Sequence, residues 1–308
     1  MNKKITLSLS LSLLAVLLCG TLIYTVYTHG DTSSQSPVHV SDTQNGAVPE
    51  WAEKVFAQSE WGASDPEDSR AFLNKQKKGS LRTLSYQKKD ILLAYSYTLN
   101  RTDTYTKDGS KVSPADMADS YGFYDVYVDE QKTEYDFIYN TDILCGISMF
   151  LSESDESKDH IDQDRAVEIA KEYLLTVFPK DAVNAYKLEA CVEVDWTSAY
   201  ELTFYRFLGG YKTDDRLYLC MHTDGRMSTL IAWNLSRYDR FQDIADKIDG
   251  EKNRAAFAAA FAAEYPSGHY RIAEDAYITL TDKGELAFVY GVVYDTWANQ
   301  HLQPIELD

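Results

Sequence analysis

Basic residues are scarce in this chain. Lysine and arginine together number 30, against 48 aspartates and glutamates, so the formal net charge is −18. Nucleic acids and anionic lipid surfaces both favour proteins rich in lysine and arginine. The charge balance therefore argues against either as the main partner, and we expect no binding to nucleic acid.

Cysteine is also scarce, with four residues in the chain. No CxxC pair or Cys/His array occurs, which argues against a zinc motif and against a disulfide scaffold. Cys19 lies within an apolar segment, and the other three are Cys145, Cys191 and Cys220. Two interpretations stay open for these three: one disulfide between Cys191 and Cys220, or three small buried side chains.

Recognisable catalytic motifs are absent. The sequence contains no HExxH, no glycine-rich phosphate loop and no G-x-S-x-G, the motifs that mark common metal, nucleotide and hydrolase sites. Its six histidines are too scattered to pair at helical spacing; they are His29, His39, His160, His222, His269 and His301. The sequence thus predicts a protein that is not an enzyme, with no catalytic, cofactor or metal residue, and leaves the binding residues unassigned. A hydrolase of unrecognised type, with a non-local site, is the alternative.

Three segments could hold a ligand, and each also has a purely structural interpretation. The acidic stretch Asp155–Asp164 could bind calcium, or it could be a solvated linker that caps the next helix. Gly209-Gly210 with Asp214-Asp215 could form a phosphate site if basic residues support it, or a loop that joins two strands. The third candidate is a groove lined by tyrosines of predicted strands, which would otherwise pair across the sheet; these are Tyr121, Tyr124, Tyr127, Tyr135 and Tyr139.

The one long apolar run, Ile5–Tyr27, follows Lys3 and Lys4. About 23 residues at a helical rise can cross a bilayer core of about 30 Å, whereas signal peptides have shorter apolar regions. We therefore expect a retained membrane anchor with residues 1–4 as a cytoplasmic stub and the rest of the chain extracytoplasmic, because the basic side stays inside. A cleaved signal peptide and a lipidated Cys19 are the alternatives.

Downstream of this run, the pattern divides the chain into a tether and three units. Residues 28–48 are polar and lack periodic apolar positions, which predicts a flexible tether. Residues 49–150 are predicted as an N-terminal α+β unit. The acidic stretch then introduces a second unit, 151–238, and residues 239–308 form a third, partial unit.

The second and third units carry the same pattern. Apolar residues from Ala166 to Val177 recur at spacings of three and four, which predicts a helix capped by Asp162 or Asp164 and ended by Pro179. A second helix is predicted over Glu251–Tyr265, and it too ends in an aromatic residue before a proline. Each is followed by alternating strand patterns with an Asp-Gly hairpin signal or its counterpart, such as Asp224-Gly225. This repetition predicts helix-plus-sheet units.

The stretch Asp162–Trp233 resembles a PepSY-type or YcdB-like repeat. The resemblance rests on the helix Ala166–Leu174 and on later signals of the strand region: Trp196, Tyr200–Phe207, Gly209-Gly210-Tyr211, Asp214-Asp215 and Asp224-Gly225. Together with the apolar run Ile5–Tyr27, it implies an α+β fold class, in which an N-terminal transmembrane helix is followed by helix-plus-antiparallel-sheet (PepSY-like) units. It also implies an envelope module that binds proteins or restrains peptidases, and it transfers no active-site residue.

These observations together predict a membrane-anchored, extracytoplasmic binding or regulatory protein of the cell envelope. Its partners would be the membrane, through Ile5–Tyr27, and another envelope protein or peptide.

Overall fold

The computed structural model describes residues 37–42, 47–62, 71–100, 122–149, 160–194, 198–266, 268–281, 283–294 and 298–307. The predicted anchor Ile5–Tyr27, the stub before it and residues 28–36 of the predicted tether lie outside these ranges. No helix within the described ranges is long and apolar enough to cross a bilayer.

Helices are few in the described part of the chain. They comprise α1 (Glu50–Gly62), α2 (Gln163–Val177), α3 (Lys180–Asn184), one 3-10 helix (Asp239–Lys247) and α4 (Gly250–Glu264).

Strands dominate the described residues. In chain order they are β1 (His39–Asp42), β2 (Ala71–Phe72), β3 (Leu81–Tyr86), β4 (Lys89–Asn100), β5 (Phe123–Val128), β6 (Glu134–Ile138), β7 (Leu144–Ser148), β8 (Tyr186–Val194), β9 (Ala199–Leu208), β10 (Tyr211–His222), β11 (Met227–Trp233), β12 (Tyr270–Leu280), β13 (Leu286–Tyr294) and β14 (Ala298–Pro304). β1 lies within the segment predicted as a tether and pairs antiparallel with β3.

The predicted fold class is wrong. Instead of forming separate helix-plus-antiparallel-sheet (PepSY-like) units, the described strands join one mixed sheet. Its main order is β1-β3-β4-β5-β6-β7-β11-β10-β12-β13-β14, with β2 paired to β4 and with β8 and β9 attached through β10. β7 pairs antiparallel with β11, and β10 pairs in parallel with β12 at Thr213 and Ile278.

The error has a physical reason. The alternation of apolar residues determines which face of a strand is buried. The backbone N–H and C=O groups along the edge of a strand, however, are the same in every sequence, so they do not specify which other strand they pair with. A local pattern therefore predicts strands and hairpins, whereas pairs such as β7–β11, which join residues about 80 apart in the chain, are fixed only by the packing of the whole sheet.

Local predictions for helix α2 are confirmed. The Asp162 side chain accepts a hydrogen bond from the Arg165 backbone N–H at 2.8 Å and so caps the helix, which ends at Val177 just before Phe178 and Pro179. Its apolar face packs on the sheet in the first core, with Ala166 and Leu174 fully buried. The Asp224-Gly225 hairpin between β10 and β11 is also present, with Gly225 at φ +89°.

Two main cores lie along the sheet. The first is built from α2 and strands β3 to β11, and its members include Leu174, Leu217 and Leu230. The second lies under α4, β12 and β13, and includes Phe257, Phe261 and Phe288. A smaller cluster holds α1 against β3 and β4 through Ala52.

Cys145, Cys191 and Cys220 are all free thiols, and Cys145 is fully buried. Cys191 pairs with Leu202 of β9, whereas Cys220 pairs with Glu201 of the same strand. Neighbouring residues of a strand point to opposite faces, and two strands separate the thiols by roughly 10 Å, which is beyond the reach of a disulfide. The predicted disulfide is therefore wrong, and of the three side chains predicted as buried only Cys145 is buried, while Cys191 and Cys220 are partly exposed.

Candidate functional site

A β-bulge in β10 positions the candidate site. Lys212 pairs with Phe207 of β9 and Arg216 pairs with Tyr205, so three residues of β10 lie opposite the single residue Arg206. The hairpin before the bulge turns through Gly209 and Gly210, both with positive φ, as a tight two-residue turn requires. A bulge redirects side chains and often adjoins a functional site.

The sheet forks at this bulge. β9 occupies one edge of β10 on both sides of the bulge, so β11 and β12 share the other edge. β11 ends its pairing at Trp233, opposite Arg216, and β12 takes over at Thr213. A gap between two strands that diverge from a third leaves room for a cleft.

That cleft, which we call the fork pocket, has a volume of about 470 Å³. From β9 and β10 it is lined by Tyr205, Lys212, Thr213, Asp214 and Arg216. From the end of β11 and from β12 it is lined by Trp233, Asn234 and Tyr277. The volume falls within the range of about 300–1,000 Å³ that is usual for small-molecule and side-chain sites.

Basic and aromatic side chains alternate across the sheet face beside the fork pocket. Cross-strand pairing puts Lys187, Tyr205, Arg216 and Trp233 side by side on one sheet face, and we call this set the cation–aromatic row. The Arg216 guanidinium lies 4.3 Å from the centre of the Trp233 ring. This face is opposite to the one that packs on α2, because the next residue of β10, Leu217, points into the first core.

Two further cation–aromatic contacts involve residues of this row. The Lys187 ammonium lies 4.6 Å from the ring centre of Phe207, and the Lys212 ammonium lies 4.8 Å from that of Tyr205. Lys212 also forms an ion pair with Glu189 at 2.9 Å. Among the residues that the structure describes, Lys187 and Arg216 form no ion pair.

Asp214 closes the pocket between β10 and β12. Its carboxylate accepts a short hydrogen bond from the Tyr238 hydroxyl and one of 2.8 Å from Thr279, while its backbone carbonyl accepts from the Asn234 side-chain amide at 3.2 Å. Burial, and then the negative charge of Asp214, raise the pKa of Tyr277. The Asp214 carboxylate is thus bound by protein donors and holds the fork together.

The neighbouring Asp215 points the other way, into the protein. Its side chain is fully buried, accepts a 2.6 Å hydrogen bond from Tyr186, and lies 3.7 Å from the Arg206 guanidinium, which in turn pairs with Asp239 at 2.6 Å. Burial raises the pKa of Asp215 to about 8, and nearby Asp214 adds to the rise. No residue of this buried network lines the fork pocket.

The candidate sites proposed from sequence have different outcomes. Gly209-Gly210 is a strand-joining turn, while Asp214 lines the pocket beside Lys212 and Arg216. Of the tyrosines predicted to line a groove, Tyr124, Tyr127 and Tyr135 are buried in the first core, Tyr139 is partly buried, and Tyr121 lies outside the described residues.

The calcium candidate lies mostly outside the described residues, which begin again at His160. Asp162 serves as a helix cap. Within the described ranges no three histidine, cysteine, aspartate or glutamate side chains are arranged to hold a metal ion.

Sequence reasoning missed Lys187, Arg216, Trp233, Asn234 and Tyr277. Arg216 and Trp233 stand in ordinary alternating strand patterns, so a local signal could identify them as surface residues but not as neighbours. The Asp214-Asp215 pair was the one available signal, because two successive acidic residues are unusual within a β-strand.

No protein-family model, curated protein or solved structure matches this chain.

Proposed function

We propose that the chain is an extracytoplasmic binding or regulatory protein of the cell envelope, anchored through Ile5–Tyr27, and that it holds another envelope protein or a peptide in the fork pocket. The observation that carries this proposal is the chemistry of the pocket. Arginine and tryptophan, here Arg216 and Trp233, are enriched among the residues that contribute most to tight binding between proteins.

The acid–base groups of the region favour binding over hydrolysis. Asp214 is engaged by Tyr238 and Thr279, so each of its carboxylate oxygens already accepts a hydrogen bond from the protein. Asp215 has the perturbed pKa that suits a catalytic acid, but its carboxyl group is fully buried and lies outside the pocket lining. An envelope hydrolase of unrecognised type therefore stays the second candidate.

Restraint of an envelope peptidase is one form that this regulation takes. Confinement of both proteins to the envelope raises their effective concentration, so a modest intrinsic affinity suffices.

Capture from envelope extract tests the proposal. The purified full chain in mild detergent is immobilised beside two variants, Trp233→Ala in the pocket and Tyr265→Ala on an exposed aromatic far from it in sequence. We expect the same envelope protein to be retained by the wild type and by Tyr265→Ala, and to be lost with Trp233→Ala. Peptidase activity in the retained fraction should fall when more of the chain is added.

A direct activity measurement addresses the alternative. The full chain is incubated with broad peptidase, esterase, phosphatase and glycosidase substrates. Turnover that disappears on mutation of one pocket residue would contradict the binding function and support the hydrolase.

A further inference from the structure

We infer that the fork pocket recognises a carboxylate group carried by a peptide, with Arg216 as its main ligand. This inference rests on the proposed function and specifies the chemistry of the bound group. The source of the carboxylate is either the C-terminus of a peptide or an aspartate or glutamate side chain within it.

Three basic side chains lie together beside the fork pocket of this acidic chain. The chain as a whole carries a formal charge of −18, so an exposed face would ordinarily show acidic groups to water. On the face of the cation–aromatic row, however, Lys187, Lys212 and Arg216 lie together and only Lys212 is matched, by Glu189. Glu201 of β9 and Asp214 lie on the same side of the sheet and balance the overall charge. Lys187 and Arg216 nevertheless form no ion pair among the described residues, so these two cations fit an acidic group that comes from outside the chain.

Aromatic neighbours restrict the side chain of Arg216. Its guanidinium lies over the Trp233 ring, while Tyr205 is its direct neighbour on β9. Such stacking restricts the arginine before a ligand arrives, which reduces the entropy lost on binding. A planar guanidinium offers two parallel N–H donors that match the two oxygens of a carboxylate.

The remaining pocket groups distinguish a carboxylate from a phosphate and from a polyanion. Asp214 lines the same pocket, and its charge repels a doubly charged phosphate more than a singly charged carboxylate. The acidic character of the whole chain repels extended polyanions such as nucleic acid. A short peptide brings one or a few negative charges and so avoids most of this repulsion.

Asn234 favours a peptide over a free organic acid. Its side-chain nitrogen donates to the Asp214 carbonyl, so its side-chain oxygen is left as an acceptor at the pocket wall. No described residue donates to that oxygen. A peptide supplies both groups at once, a backbone N–H for Asn234 and a carboxylate for Arg216.

Binding of short fluorescent peptides to the full chain in mild detergent tests the inference. The probes are the peptide Ala-Ala-Tyr-Ala with an uncharged fluorescent dye in amide linkage on its N-terminus and a free C-terminus, the same labelled peptide as its C-terminal amide, and a labelled, amidated version with glutamate in place of the second alanine. Fluorescence anisotropy gives the dissociation constant of each. We expect the dissociation constant of at least one acidic probe to be lower than that of the neutral amide by a factor of about ten or more, since a charge-assisted hydrogen bond is lost in the amide.

Variants assign the effect to Arg216. Arg216→Gln should weaken the acidic probe about tenfold, and Arg216→Lys should weaken it less, since lysine keeps the charge without the fork geometry. The matched control is Arg271→Gln, which removes another exposed strand arginine, on β12 and outside the pocket. It should leave the affinity unchanged. Which acidic probe binds decides between a C-terminal and a side-chain carboxylate.

Several results would overturn the inference. One is a neutral amide that binds as tightly as the acids, and another is an Arg216→Gln variant that binds like the wild type. A third is inorganic phosphate that competes as well as the peptide acid does, and a fourth is the failure of every acidic probe to bind below about 1 mM. If the envelope protein is still captured in any of these cases, the proposed binding function stands and only the carboxylate assignment fails.

Discussion

Two successive aspartates in β10 have opposite environments because successive residues of a strand point to opposite faces of the sheet. Asp214 lies at the pocket with protein donors on its carboxylate, while Asp215 is fully buried beside Tyr186 and Arg206. Transfer of a carboxylate from water into the protein interior disfavours its charged form. The nearby arginine does not cancel this cost, since Arg206 lies closer to Asp239 than to Asp215.

Stability should depend on pH through Asp215. Its pKa of about 8 exceeds its ordinary value of 3.8, so the folded chain holds a proton that the unfolded chain releases. The stabilisation is complete below the unfolded pKa and is lost as the pH rises through about 8, with a slope of up to about 1.4 kcal/mol per pH unit.

Asp215→Asn keeps the shape of the neutral acid and isolates this effect. Urea unfolding of wild type and variant between pH 4 and pH 9 measures it. The free energy of unfolding of the wild type should decline relative to that of the variant as the pH rises. Parallel curves over this range would contradict a raised pKa.

At the scale of elements, the sequence predicted what depends on neighbours in the chain and missed what depends on distant ones. The helix α2, its Asp162 cap and the Asp224-Gly225 hairpin follow from spacing, hydrogen-bond donors at a helix start and turn geometry. The fork is different: it exists because β12 meets β10 at a single pair, Thr213 and Ile278, more than 60 residues apart. No local pattern specifies that contact, and the pocket arises from it.

Helix α2 offers a test of the packing that the sequence did predict. Leu174 is fully buried against the sheet, whereas the next residue, Leu175, is 44% exposed. Leu174→Ala should lower the free energy of unfolding by about 2–5 kcal/mol because it leaves a cavity. Leu175→Ala on the same helix should change it by less than about 0.5 kcal/mol. Thermal or urea unfolding of both variants measures the difference, and equal effects would show that the buried face is assigned incorrectly.

Strand β7 is packed closely against β6 at Gly146. A methyl group added there would come within 2.7 Å of an Asp136 carboxylate oxygen and 2.9 Å of its Cβ, and both residues are buried. Gly146→Ala should therefore destabilise the sheet by about 1–3 kcal/mol through overpacking.

Gly291→Ala is the matched strand control for this substitution. Its new methyl group would meet only the Ala273 Cβ, at 3.3 Å, so the change should stay below about 1 kcal/mol. Denaturant midpoints of the two variants decide the point. A Gly146→Ala variant as stable as Gly291→Ala would contradict the close approach of β6 and β7.

At the scale of the whole molecule, charge is distributed unevenly. The chain carries 18 more acidic than basic residues, yet the cation–aromatic row gathers exposed basic groups on one sheet face. Two parts of the same molecule therefore experience opposite electrostatic forces. The fold as a whole is weakened by repulsion among its acidic residues, while the cations Lys187 and Arg216, which form no ion pair among the described residues, attract negative charge locally.

Salt should accordingly change stability and binding in opposite directions. Raising the ionic strength from about 10 mM to about 1 M shortens the screening length from about 30 Å to about 3 Å, which suppresses the repulsion between exposed carboxylates. We expect the melting temperature of the full chain to rise over this range. Across the same range the affinity for an acidic peptide should fall, since screening also weakens its attraction to Arg216 and Lys187. Calorimetry and anisotropy on one preparation measure the two quantities. An affinity that rises together with the melting temperature would indicate a bound group held by apolar contact with Trp233 and Tyr205 instead of by charge.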